Sequence, residues 1–231
     1  YHPGGSPRTQ LYLHNDLMAG VSAYQNFSLF QGNLVTGGFD WQHFGGHAWN
    51  RNISSGVEKD IINKTEDDFA GYVDFRQDLL SWITADAGLR VDYHSQVGTE
   101  LIPQGGITFH LPSQAEIRAM VSKGFRNPTI RELYMYVPAN TALEPERLMN
   151  YELSYKQRFL QNRLRLGANL FYLNASNLIS TEIVNGKPLN VNTGNVKNWG
   201  FEFESAYKIL PQLEVDANYS FLHMKKHLTA A

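Results

Sequence analysis

Imidazole and carboxylate groups are where this 231-residue chain could carry acid–base or metal chemistry, because histidine titrates near neutral pH and is the commonest metal ligand. His43, His47, His94 and His110 are the candidates. His43 and His47 would share a strand face, but they would stand about 13 Å apart in an extended chain. That is too far to share one ion. Activating a water for hydrolysis needs a base beside its orienting acid, and only His94 with Asp92, or His47 with Asp67 and Asp68, offers one. Serine nucleophiles lack the Gly-x-Ser-x-Gly elbow, and with no cysteine there is neither thiolate chemistry nor a disulfide. No cofactor and no metal site are expected. A different set, Arg126, Arg131, Tyr134 and Tyr136, gathers cations and aromatic rings in one stretch. Such a group suits capture of an anionic or chelated small molecule. The alternative is that Arg126 and Glu132 pin a loop while the tyrosines pack on Leu133 and Val137.

The elements that must position these groups read as strands. From Phe69 to Tyr93, Phe69, Gly71, Val73, Phe75 and Leu79 alternate with Ala70, Tyr72, Asp74, Arg76 and Asp78. Then Ile83, Ala85, Ala87, Leu89, Val91 and Tyr93 alternate with Thr84, Asp86, Gly88, Arg90 and Asp92. The period is two rather than 3.6. One face is apolar throughout and the other carries both signs of charge. A net charge of −2 leaves no basic footprint for nucleic acid. The longest uncharged run, Leu17 to Phe39, could span a bilayer by length alone. Gln25, Asn26, Gln31 and Asn33 inside it make a spanning helix a poor reading.

The alternation recurs along the chain. After a loop around Gly4, Gly5 and Pro7 and a possible short strand from Gln10 to His14, strands follow over Leu17–Phe30 and Leu34–Gly46. Beyond the hairpin of Phe69 to Tyr93 they continue over Gln104–Leu111, Ala115–Phe125, Leu148–Leu160, Arg163–Leu178, Asn195–Leu210 and Leu213–Met224. Tight turns alternate with longer connections at His47–Thr65, His94–Pro103, Arg126–Arg147 and Ile179–Gly194. That rhythm is the short periplasmic turn and long outer loop of a transmembrane barrel. Apolar segments of about ten residues, tilted about 45°, cross a band of about 25 Å. The fold class is therefore all-β, a transmembrane antiparallel up-and-down β-barrel, here a partial barrel of about ten strands. Trp41, Trp82, Phe159, Tyr172, Trp199 and Tyr207 sit near strand ends, as interfacial girdles do.

Val121 to Glu146 carries Ser122, Gly124, Phe125, Arg126 and Pro128, then Glu132-Leu133-Tyr134, then Leu143, Pro145 and Glu146. With Phe171, Tyr172, Asn177, Leu178 and Ile179, and with Asn192, Gly194, Gly200, Glu202 and Glu204, this resembles TonB-dependent outer-membrane receptors, in particular the Bacteroidetes-like group for siderophores, cobalamin or haem. The resemblance spans most of Leu17 to Lys225. It implies a ligand-gated receptor in the bacterial outer membrane that takes up a scarce nutrient, an iron–siderophore or cobalamin type ligand, with TonB-coupled energy. Its implied partners are outer-membrane lipid, a small-molecule ligand such as a metal chelate, and the TonB complex reached through a plug domain. Residues 1–231 are then expected to be a C-terminal portion of the barrel, cut at both ends, with the plug outside this chain. Ala231 departs from the aromatic terminus of such barrels, and any targeting segment is expected before Tyr1. Haem receptors of the family tend to carry Phe-Arg-Ala-Pro followed by a ligating histidine. Phe125-Arg126-Asn127-Pro128 is followed by none up to Arg147, which disfavours haem. The alternatives to a receptor are a small outer-membrane barrel enzyme, protease or lipase, and a soluble sandwich.

Parity predicts the turns. Apolar positions stay odd-numbered across Gln31–Asn33, Leu80–Trp82, Pro112–Gln114 and Leu210–Gln212, which asks for odd turns, naturally of about three residues. Between Phe159 and Leu164 parity switches, so Gln161 and Asn162 should form a two-residue turn or the centre of a four-residue one. These turns set Arg76 opposite Asp86, His110 opposite Glu116 and Lys208 opposite Glu214.

Overall fold

A computed structural model describes residues 8–228; the Gly4, Gly5 and Pro7 cluster and Ala231 lie outside the described residues. Ten antiparallel strands follow one another in a single sheet, each paired with its neighbours in sequence. They are β1 (Gln10–Phe27), β2 (Asn33–Asn52), β3 (Glu58–Leu80), β4 (Ile83–His94) and β5 (Gly98–Leu111). β6 (Ala115–Arg126), β7 (Glu146–Phe159), β8 (Leu164–Val184), β9 (Lys187–Leu210) and β10 (Leu213–Leu228) complete it. Among the described residues no helix is long and apolar enough to cross a membrane.

Which face is covered decides the medium. On the β3–β4 hairpin Phe69, Val73, Phe75, Leu79, Leu89 and Val91 are all exposed, whereas Ala70, Thr84 and Asp92 on the opposite face are buried. Large apolar side chains point out and polar ones point in. A sandwich would cover that apolar face with a second sheet, and the described residues form only one. An exposed apolar face of this length fits a hydrocarbon cover, with the odd-numbered residues of β2–β7 facing lipid within the bilayer and the even-numbered ones lining a wet interior.

The registers follow the parity. Arg76 pairs with Asp86, His110 with Glu116 and Lys208 with Glu214. Residues 112–114 form a three-residue connection between β5 and β6, and 160–163 a four-residue one between β7 and β8. At 81–82 and 211–212 the connection shortens to two residues because a register shift between Asp78 and Leu80, or between Leu213 and Glu214, absorbs the third. The facing is preserved. At 28–32 five residues intervene.

Three expected outer loops are corrected. His47–Thr65 is mostly the paired ends of β2 and β3 around 53–57, Ile179–Gly194 is the tip of β8–β9 around Asn185 and Gly186, and His94–Pro103 closes at 95–97. Gln10–His14 likewise is continuous with β1. Outside the bilayer both faces meet water, so the alternation that marks a strand disappears while the backbone ladder continues. Among the described residues only 127–145 is a long loop.

Ion pairs on the inner face skip strands. Asp86 pairs with Arg118 at 3.0 Å rather than with Arg76 directly opposite. The β5 residue opposite Asp86 is Gly106, whose missing side chain leaves room for the Asp86 carboxylate, and Arg118, opposite Thr108 one same-face step along, reaches it diagonally. The same device carries Gln104 to Asp74 (2.6 Å) over Gly88, and Arg165 to Glu214 over Ala206 instead of Lys208. Arg90 joins Asp40 and Asp92 over Ala70. His110 and Glu116, direct neighbours, do meet at 3.0 Å.

Candidate functional site

The connection 127–145 leaves the outer end of the β6–β7 hairpin and is ordered by its own sequence. Thr129 and Glu132 exchange the reciprocal bonds of a capping box: the Thr129 N–H donates to Glu132 Oε2 (2.8 Å), and the Glu132 N–H donates to Thr129 Oγ1 (3.2 Å). A single helical turn, Arg131–Met135, follows. Leu133, fully buried, and Leu143, 3% exposed, anchor the loop.

Arg126 fastens it. Its Nε donates to Glu146 (2.8 Å), and its two terminal nitrogens donate to Glu132 (2.9 and 3.1 Å). Both edges of the guanidinium fork are thus used. Burial pushes the Glu132 carboxyl up, but the bonds from Arg126 and Thr129 outweigh it and hold the group below its ordinary value. A depressed pKa stabilises the fold above the ordinary carboxylate range, and that contribution is lost as pH falls through the depressed value. Hydrogen-exchange protection of amides 127–145 is therefore expected to be flat at neutral pH and to fall once the pH drops below the ordinary carboxylate range. In Glu132→Gln this acid limb should flatten; an unchanged limb would assign it elsewhere.

Asparagines stitch the loop to the β8–β9 hairpin. Asn140 donates to the Asn190 carbonyl (2.8 Å), Asn190 to the Glu132 carbonyl (3.1 Å) and Asn192 to the Glu144 carbonyl (2.9 Å). On the other flank Lys64 of β3 sits over the Tyr134 ring at 5.5 Å, so the loop leans over the short β4–β5 hairpin. Arg131 lies over Tyr136 at 5.8 Å and Val137 is 86% exposed. Of the sequence candidates, Tyr134 turns toward the inner wall, the exposed Arg131 covers the half-buried Tyr136, and Arg126 joins the loop's base.

Sequence reasoning missed a second cluster. The β5–β6 ladder stops at Gln104–Ser122, beside Pro103, which has no N–H to donate. Across the open seam Glu100, 6% exposed, accepts from Lys123 Nζ (2.8 Å) and Arg147 Nε (2.8 Å). Nothing local in the sequence signals it, although Asn190 and Asn192, two apart on one face, could have flagged a contact surface.

The four candidate histidines each take a separate carboxylate partner among the described residues. His47 bonds Asp60 (2.9 Å), not Asp67 or Asp68, and His43 bonds Asp67 (2.9 Å). His94 is buried, accepts from the Gln96 N–H at Nδ1 (3.2 Å) and has Nε2 3.3 Å from Glu66. Its neighbour Asp92 is held by Arg90. No group of three or more metal-ligating side chains is found among the described residues.

Residues 2–230 match the family model described as TonB dependent receptor-like, beta-barrel. The chain belongs to the TonB-dependent receptor family. It is a β-barrel of the bacterial outer membrane, in a family of transporter receptors rather than enzymes. This receptor segment is 27% identical over 110 residues to the vitamin B12 transporter BtuB of Photobacterium profundum, covering 48% of this chain and 18% of BtuB. It superposes on the siderophore receptor PirA of Pseudomonas aeruginosa with a TM-score of 0.73 at 19% identity, covering 90% of this chain and 40% of PirA. For pyoverdine-bound FpvA of P. aeruginosa the TM-score is 0.74 at 18% identity, covering 94% of this chain and 34% of FpvA. The receptor segment thus spans less than half of each of these relatives.

Proposed function

We propose that these residues are the C-terminal portion of the barrel of a complete receptor that takes up an iron–siderophore or cobalamin type ligand, drawing on TonB through a plug domain encoded elsewhere in the protein. Loop 127–145 holds the ligand at the outer face, with Tyr134, Tyr136 and Arg131 as contacts and Arg126 at its base. One observation carries this reading: the loop is fixed in advance by the capping box, by Arg126 and by the asparagines, yet leaves Arg131, stacked over Tyr136, exposed. A loop already ordered loses little entropy on binding, and an aromatic–cation pair suits a flat anionic chelate. Relatives named for vitamin B12, for a siderophore and for pyoverdine–iron support the ligand class.

The experiment is to replace Tyr134 and Tyr136 with Ala in the complete receptor and to titrate a ferric siderophore and cyanocobalamin, with surface expression followed in parallel. Affinity for one of the two should drop about tenfold, the equivalent of about 1.4 kcal/mol, at unchanged surface level. Unchanged affinity for both would place ligand binding away from this loop.

A further inference from the structure

The lipid-facing side of β9 and β10 ends in two lysines. Ile209, Tyr207, Phe203, Phe201 and Trp199 alternate along that face of β9, interrupted once by Ser205, and the next position outward is Lys197. On β10 the partner of Trp199 is His223, with ring centroids 5.8 Å apart, and the next outward residue, Lys225, pairs directly with Lys197. At about 3.3 Å per residue and about 45° tilt, Ile209 to Trp199 covers about 25 Å, the height of the apolar band. Lys197 and Lys225 therefore lie one step beyond the aromatic girdle, at headgroup level.

Two like charges directly opposite in a ladder repel. None of the ion pairs among the described residues includes either lysine. The neighbour of Lys197 on β8 is Asn174, a neutral donor. Beside the girdle residue Trp41 on β2–β3 a carboxylate is present: Asp67 takes the indole N–H (3.2 Å) and meets His43 (2.9 Å). On the β9–β10 side the paired cations have no such carboxylate among the described residues. We propose that Lys197 and Lys225 jointly bind a phosphate on the headgroup of an outer-leaflet glycolipid. The apolar girdle beneath them suits the acyl chains of the same molecule, and the shared anion converts a repulsive pair into an attractive one.

The test is native mass spectrometry of the complete receptor with added lipopolysaccharide, intact or enzymatically dephosphorylated. Each lysine is expected to contribute on the order of fivefold, so K197Q/K225Q should lower retention of the phosphorylated glycolipid by about 25-fold. Dephosphorylated glycolipid should bind the unaltered receptor as weakly. K197R/K225R should restore binding, separating charge from folding, and K187Q at the outer tip of β9 should leave it unchanged. Wild-type retention by the glutamine variant, indifference to the phosphates, or full displacement by millimolar inorganic phosphate would overturn the assignment.

Discussion

The Phe203→Arg substitution is expected to destabilise the folded barrel of the complete receptor by about 2–4 kcal/mol, the cost of an arginine at the bilayer midplane. Phe203 lies midway between Ile209 and Trp199 on the outward face of β9, flanked by Ala168 on β8 and Tyr219 on β10. Neither neighbour carries a carboxylate to neutralise a cation, and the guanidinium would have to snorkel or thin the bilayer. The control is Asn218→Arg, one residue from Tyr219 but facing the wet interior beside Glu204. There the cost should be under about 1 kcal/mol. Reversible unfolding of both variants from lipid bilayers, compared at one denaturant slope, reads the difference. Equal costs at 203 and 218 would mean that the two faces have been assigned wrongly.

This asymmetry between faces is what made the fold legible in the sequence. Within the bilayer each strand meets hydrocarbon on one side and water on the other, so Phe69 to Tyr93 spells out its period and parity fixes the hairpin registers. His110 opposite Glu116 follows from its three-residue turn, and Arg76 opposite Asp86 from parity and opposite charge, with a register shift between Asp78 and Leu80 in place of the third turn residue. Above the bilayer the information runs out. β2–β3 and β8–β9 continue as paired strands through His47–Thr65 and Ile179–Gly194, because ladder bonds need no apolar pattern.

The candidate site was legible only in part, for a related reason. Thr129-x-x-Glu132 is a local motif and its capping box could be read directly from the residues. Lys64 over Tyr134, Glu100 with Lys123 and Arg147, and Asn190 with Glu132 join elements 23 to 70 positions apart. No local spacing encodes them. Strand-skipping pairs mislead in another way: opposite charge at neighbouring positions predicts Arg76–Asp86, but a small residue on the strand between gives Asp86 the better reach to Arg118. Glycine and alanine on the inner face, at Gly88, Gly106, Ala70 and Ala206, are therefore as informative about the charge network as the charged residues.

Arg126→Ala should release the loop that carries the proposed ligand contacts. Without the guanidinium, Glu132 and Glu146 would be left facing one shared space, each still mostly covered, with side-chain exposures of 23% and 18%. A fully buried pair broken in this way costs about 3–5 kcal/mol and an exposed one at most about 1 kcal/mol. Partial burial puts the expected loss near about 2 kcal/mol, between those two limits. Local opening of 127–145 should accordingly become about 30-fold more frequent, read as faster amide exchange in those residues. β-Strand amides within the bilayer should not change. Arg126→Lys, which retains charge but cannot fork between two carboxylates, should fall between the two. Adding Glu132→Gln to Arg126→Ala should recover part of the protection by removing one uncompensated charge, a coupling that independent sites would not show. If exchange in 127–145 is the same with and without Arg126, then Leu133, Leu143 and the asparagines hold the loop by themselves and the arginine is free to meet a ligand.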